Sequence, residues 1–169
     1  EGPVLRRCVC SGASYVYKGQ ALYSNTTGVQ NTASGYSALK GNTTAVGNVA
    51  IGYKTLCSNS TGNSNTGVGA MALRCNTTGC RNTASGYYGL KLNTTGCYNT
   101  ASGYRALQAN TTASYNTAVG TCALFANTTA GYNIAIGYAA LRCNTTGTDN
   151  TAVGAHALDA NTTAGFNTA

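Results

Sequence analysis

One period governs this chain. Asn-Thr-Thr recurs at Asn25, Asn42, Asn76, Asn93, Asn110, Asn127, Asn144 and Asn161, with Asn-Ser-Thr at Asn59, and every spacing is 17 residues without insertion or deletion. With that Asn as position 1, position 7 is again Asn in every copy: Asn31, Asn48, Asn65, Asn82, Asn99, Asn116, Asn133, Asn150 and Asn167. Position 9 is Ala except at Gly67, position 11 is Gly from Gly35 to Gly154, and position 15 is Leu from Leu39 to Leu158. A fixed internal period marks a solenoid, whose units bury their apolar side only by stacking on one another. A loop on a globular domain tolerates added residues. A coil clasped on both sides does not.

Seventeen residues are too few for a helical-hairpin repeat, and a Gly at every position 11 opposes helix. The expected fold is therefore all-β, a β-solenoid (β-roll) of 17-residue coils with about two short strands per coil. One strand is expected over positions 7–11, as in Asn133-Ile134-Ala135-Ile136-Gly137, the other from position 14 into position 3 of the next coil. Strand alternation then turns Leu at 15, position 17 and Thr at 2 inward. Lys40, Arg74, Lys91 and Arg142 at 16, Asn at 1 and Thr at 3 turn outward. Ala at 9 and Gly at 11 face a thin core, with positions 8 and 10 on the opposite side. Stacked Asn side chains at position 7 can bond one another from coil to coil, as amide ladders do in cross-β stacks.

Composition agrees with small residues and backbone pairing in place of a thick core: 8% of residues are charged, with 22 Gly, no Trp and one Met. The ten Lys and Arg outnumber the three acids, giving +7, yet they are spread along the repeats. Nucleic-acid binding calls for a dense patch or a known module, so it is not expected. Attachment to an extracellular or cell-surface polysaccharide suits the charge better. No apolar run is long enough to insert in a membrane.

Segments such as Asn116-Thr117-Ala118-Val119-Gly120 and Asn133-Ile134-Ala135-Ile136-Gly137-Tyr138-Ala139-Ala140-Leu141 resemble the N-x-A-x-G β-roll repeats of trimeric autotransporter adhesin heads. They also resemble the NTAxGxxAL-type repeats of secreted and viral fibre proteins. The resemblance spans residues 25–169. It implies a left-handed β-roll, adhesion or fibre duty, and often a trimer.

Eight cysteines without metal-ligand spacing point to an oxidising, extracellular location. Cys80 and Cys97 share position 5 of adjacent coils, within disulfide reach if coils stack. Cys57 with Cys75, and Cys122 with Cys143, are further candidate pairs, while Cys8 and Cys10 could bridge locally or to another subunit. Each position-1 Asn opens an N-x-T sequon, so Asn25, Asn42, Asn59, Asn76, Asn93, Asn110, Asn127, Asn144 and Asn161 are candidate glycosylation sites. An unmodified Asn/Thr surface ladder is the competing reading, since glycans one rung apart would crowd.

Residues 1–24 read as an N-terminal segment and degenerate coil, a candidate subunit-joining element. Residues 25–169 read as the solenoid, ending in a half coil. Glu1 to Arg7 carry Val4-Leu5 where they could complete the half coil Asn161 to Ala169 of another copy, which predicts a head-to-tail homopolymer. No acid pair, nucleophile–base set or phosphate loop converges, and the single His156 sits in a variable turn, so no catalysis and no cofactor are expected. Tyr at position 12 and aromatics at position 6 either shield coil edges or hold a glycan or partner. The expected function is an extracellular structural fibre, with an adhesin or a glycan- or ice-binding solenoid as the alternative.

Overall fold

The structure, a computed structural model, describes the backbone of residues 15–17 and the whole of residues 20–169. Glu1 to Arg7, Cys8 and Cys10 lie outside the described residues. Nine three-residue strands follow in order: β1 (Tyr15–Tyr17), β2 (Thr32–Ser34), β3 (Val49–Ile51), β4 (Thr66–Val68), β5 (Thr83–Ser85), β6 (Thr100–Ser102), β7 (Thr117–Val119), β8 (Ile134–Ile136) and β9 (Thr151–Val153). They form one parallel sheet in sequence order. Every residue pairs with the one 17 further on, as Ala33 does with Ala50 and Ala84 with Ala101. Tyr15 pairs with Thr32, so the degenerate coil shares the register. The chain is an all-β solenoid of 17-residue coils.

Each strand from β2 to β9 buries its central residue and turns its flanks outward. Ala33, Ala50, Ala84, Ala101, Ala118, Ala135 and Ala152 lie inside at position 9, whereas Ile51, Val68, Val119, Ile136 and Val153 at position 10 face out. Leu39, Leu56, Leu73, Leu90, Leu107, Leu124 and Leu141 at position 15 form a buried column, joined by position-14 alanines such as Ala38, Ala72 and Ala106. The core is thus one Leu and two small side chains thick at each rung, the small pair being Ala except where Thr55, Gly67 or Gly89 takes one place.

The second strand expected from position 14 into position 3 is replaced by tight turns. In one coil Ala38 N–H donates to Gly35 O (3.2 Å), Lys40 N–H to Ser37 O (3.3 Å) and Asn42 N–H to Leu39 O (3.1 Å). Ser37 and Leu39 have φ of 56° and 50°, the left-handed third residue that marks type II turns. Every Leu of the column repeats this from Leu22 (51°) to Leu158 (50°). A left-handed L-residue costs roughly 1–2 kcal/mol, and burying a Leu side chain returns about 1.5–3 kcal/mol. The neighbouring rung adds a hydrogen bond: Leu39 N–H donates to Thr55 O (3.0 Å) and Leu56 N–H to Ala72 O (3.0 Å). Burial and rung pairing hold the corner open for leucine.

Because this segment turns at each step, strand alternation does not apply to it. Three expected orientations are overturned. Asn at position 1 points inward, Thr at position 2 is half-buried or exposed, and position 17 lies at the surface, with Leu92 exposed. Gly at position 11 is half-buried or more exposed rather than core.

Candidate binding edge

The interior of each rung carries two asparagine ladders. At position 1, Nδ2 of each Asn from Asn42 to Asn161 donates to Oδ1 of the Asn one rung earlier at 2.7–3.2 Å. The same Nδ2 donates to the position-4 carbonyl of its own coil, as Asn93 does to Gly96 O (3.0 Å). At position 7, the backbone N–H of each Asn from Asn48 to Asn167 donates to the preceding Oδ1 at 2.9–3.0 Å. Its Nδ2 reaches the position-4 carbonyl of the next coil, as Asn82 does to Gly96 O (2.8 Å). One carbonyl therefore ties both ladders together. A third ladder runs along position 2, where Thr77 Oγ1 donates to Thr94 O (3.1 Å) and Thr94 Oγ1 to Thr111 O (3.1 Å).

This corrects the outward placement of the candidate glycosylation residues. Asn42, Asn59, Asn76, Asn93, Asn110, Asn127 and Asn144 are fully sequestered, Asn25 is buried, and Asn161 is half-buried. A glycan replaces one Nδ2 hydrogen, and in this ladder both are engaged, in a space with no room for a sugar. The Asn-x-Thr pattern serves the inside of the coil.

Of the candidate thiol pairs, the structure brings together Cys80 and Cys97. Cys80 Sγ lies 2.9 Å from Cys97 Sγ, and Cys80 N–H donates to the same sulfur at 3.0 Å. The hydrogen bond to Cys97 raises the Cys80 pKa, with burial adding to it. Cys80 and Cys97 are nonetheless free thiols, in contact but not bonded, and Cys57, Cys75, Cys122 and Cys143 are free thiols with no sulfur–sulfur contact. Their columns differ: Cys57 is at position 16 and Cys122 at 13, whereas Cys75 and Cys143 are at 17. A one-rung step therefore does not superpose either pair. Beside the first pair stands a row of rings, Tyr98, Tyr115 and Tyr132, at 5.0 Å centroid spacing, with the Arg81 guanidinium 5.2 Å from the first.

The chemistry of the surface concentrates on another corner, where positions 12, 13 and 16 meet. Contacts fix the convergence. His156 Nδ1 and Asp159 Oδ2 at 2.9 Å join positions 13 and 16, Tyr87 stacks on Tyr88 at 3.9 Å, and Lys91 Nζ lies 4.2 Å from the Tyr88 ring. Arg105 lies 5.4 Å from the Tyr104 ring and 5.8 Å from Phe125 of the next rung. Six of the seven Lys and Arg among the described residues stand here: Lys40, Lys54, Arg74, Lys91, Arg105 and Arg142. The first five occupy five consecutive rungs, one each. The lone acid on the corner is Asp159, at the far end and bound to His156, and none of these cations forms an ion pair among the described residues. The field of the row is felt by Tyr88, whose phenol is held below its ordinary pKa, first by the hydrogen bond from Tyr87 and further by Lys91, Arg105 and Arg74.

Tyr36 and Tyr53 stack at 5.8 Å, as do Tyr87 and Tyr104, and their outer rims are exposed. Comparison with protein-family models, curated proteins and solved structures finds no match to this chain. The likeness to fibre repeats rests on the short motifs alone, and the surface must be interpreted from its own chemistry. The opposite surface, the outer face of the sheet at positions 8 and 10, carries Thr, Ser, Val and Ile and no charge. Among the described residues, no three His, Cys, Asp or Glu side chains come together as metal ligands would. The sequence anticipated the tyrosine columns but not the basic row. Cations at 13 and at 16 merge into one line only when the turn folds the two positions onto one corner.

Proposed function

We propose that the chain is a rigid rod of an extracellular fibre, a structural protein and not an enzyme. The observation that carries this reading is the unbroken repetition of the same three side-chain ladders from rung to rung. Each rung is stabilised only by its neighbours, so the natural use of such a fold is length and stiffness. The side chains that would elsewhere supply acid, base or nucleophile are engaged in ladders or spread along the surface. Adjacent thiols at Cys80 and Cys97 suit an oxidising exterior. Head-to-tail stacking of copies needs no new chemistry, because an end rung of a parallel sheet offers the N–H and C=O row that interior rungs use with each other. Such a contact is heterologous and extends without closing.

Cryo-electron microscopy of the purified full chain tests the reading. The expected result is unbranched filaments with a strong axial repeat near ~4.8 Å, the rung spacing. Particles that remain single short rods at high concentration would remove the filament.

A further inference from the structure

We infer that the corner formed by positions 12, 13 and 16 binds a linear acidic polysaccharide, a uronate chain laid parallel to the solenoid axis. The cations are not required by the fold. The same columns hold Ser37, Met71, Tyr88, Cys122 and Ala139 at position 13, and Cys57, Gln108 and Phe125 at position 16. Like charges stacked along a sheet repel, and among the described residues no carboxylate relieves the five rungs from Lys40 to Arg105. A polyanion laid along the row would supply that counter-charge.

The spacing of the row selects the class of anion. Rungs repeat at about 4.8 Å, and an extended β-linked pyranose chain advances by close to that length per sugar. A polymer with one carboxylate per sugar therefore stays in step with the row without bending, its alternate carboxylates facing the cations. The exposed rims of Tyr36, Tyr53, Tyr87 and Tyr104 border the same line and offer phenolic hydroxyls to sugar hydroxyls. Single-stranded nucleic acid fits less well. It is held by bases stacking on aromatic faces, and here the faces are occupied by one another, Tyr36 on Tyr53 and Tyr87 on Tyr104. The site lies on the flank of one chain and does not depend on chains joining end to end.

Isothermal titration of the full chain with β-(1→4)-linked oligoglucuronates of two to eight sugars is the test. Affinity should rise with each added sugar until the oligomer spans the row, and should fall as salt screens the charges. A neutral cello-oligosaccharide of equal length should not bind. The variant K54Q/R74Q/K91Q, checked for fold by circular dichroism, should bind about tenfold or more weakly, a few-fold for each exposed ion pair. R81Q, which removes the one described cation outside the row, should change affinity less than twofold and controls for net charge. If the triple variant does not fold, K91Q alone against R81Q makes the same comparison. Equal binding of the neutral oligomer, a triple variant within twofold of the parent, or oligothymidylate binding as tightly as the uronate overturns the assignment. A protein that stays monomeric yet binds uronate keeps this site and removes the filament.

Discussion

Replacing Asn99 by Ala isolates the contribution of the position-7 ladder. Asn99 Nδ2 donates to Asn82 Oδ1 (3.2 Å) and Ala113 O (2.8 Å). Its Oδ1 accepts from Asn116 N–H (3.0 Å) and Asn116 Nδ2 (3.3 Å). Most partners keep a second bond: Ala113 O retains Asn110 Nδ2, Asn82 Oδ1 retains Asn99 N–H, and Asn116 Nδ2 retains Ala130 O. The group left with nothing is the backbone N–H of Asn116, inside a fully buried residue. An orphaned buried donor costs about 1–3 kcal/mol, and each weakened bond about 0.5–1 kcal/mol more. The expected total is about 2.5–6 kcal/mol, against less than about 0.5 kcal/mol for Thr95→Ala on the exposed flank. Urea unfolding followed by circular dichroism measures the difference. Hydrogen exchange reads the local event, because the Asn116 amide should lose protection first. A loss under about 1 kcal/mol with Asn116 still protected would refute the ladder as a stabilising element.

Two further substitutions follow from the same geometry. Gly103→Ala should cost about 3 kcal/mol or more, since φ there is 133° and a Cβ would lie 2.6 Å from Gly120 O, whereas Gly89→Ala, whose Cβ meets nothing nearer than Ala84 Cβ at 3.5 Å, should be neutral or slightly stabilising. Equal melting temperatures for the two variants would contradict this. Asn99→Asp sets a buried carboxylate against two acceptors, Asn82 Oδ1 and Ala113 O, which raises its folded pKa above the unfolded value near ~3.9. The folded state then holds more protons between those two values, so stability falls as pH rises through the folded pKa and recovers on acidification. Urea midpoints at mildly acidic and neutral pH, compared with the parent's, should show that slope, and parallel curves would count against a buried ladder.

Much of the architecture was legible because stacking imposes one residue type on one column. The fixed 17-residue spacing, Leu39 to Leu158 and Ala33 to Ala152 announced coils in register with a Leu and Ala interior. Positions 8 to 10 obeyed strand alternation because that segment is a strand, as in Thr83-Ala84-Ser85 with only Ala84 inside. Alternation misled beyond it. Extrapolated from Leu39 through Asn42, it placed the sequon asparagines outside. Left-handed residues at Ser37 and Leu39 and the successive turns that follow bring Asn42 back to face Asn25 within the coil.

The sequence alone settled that the chain stacks, with what period and around which apolar columns, because those depend only on which residue recurs at which interval. The tertiary structure decided which polar columns are interior and which charges become neighbours. Those outcomes depend on backbone dihedrals at a few turn residues. Leucine and lysine carry no local mark of a left-handed φ, and only the neighbouring rungs, through burial and hydrogen bonds, make that conformation the stable one.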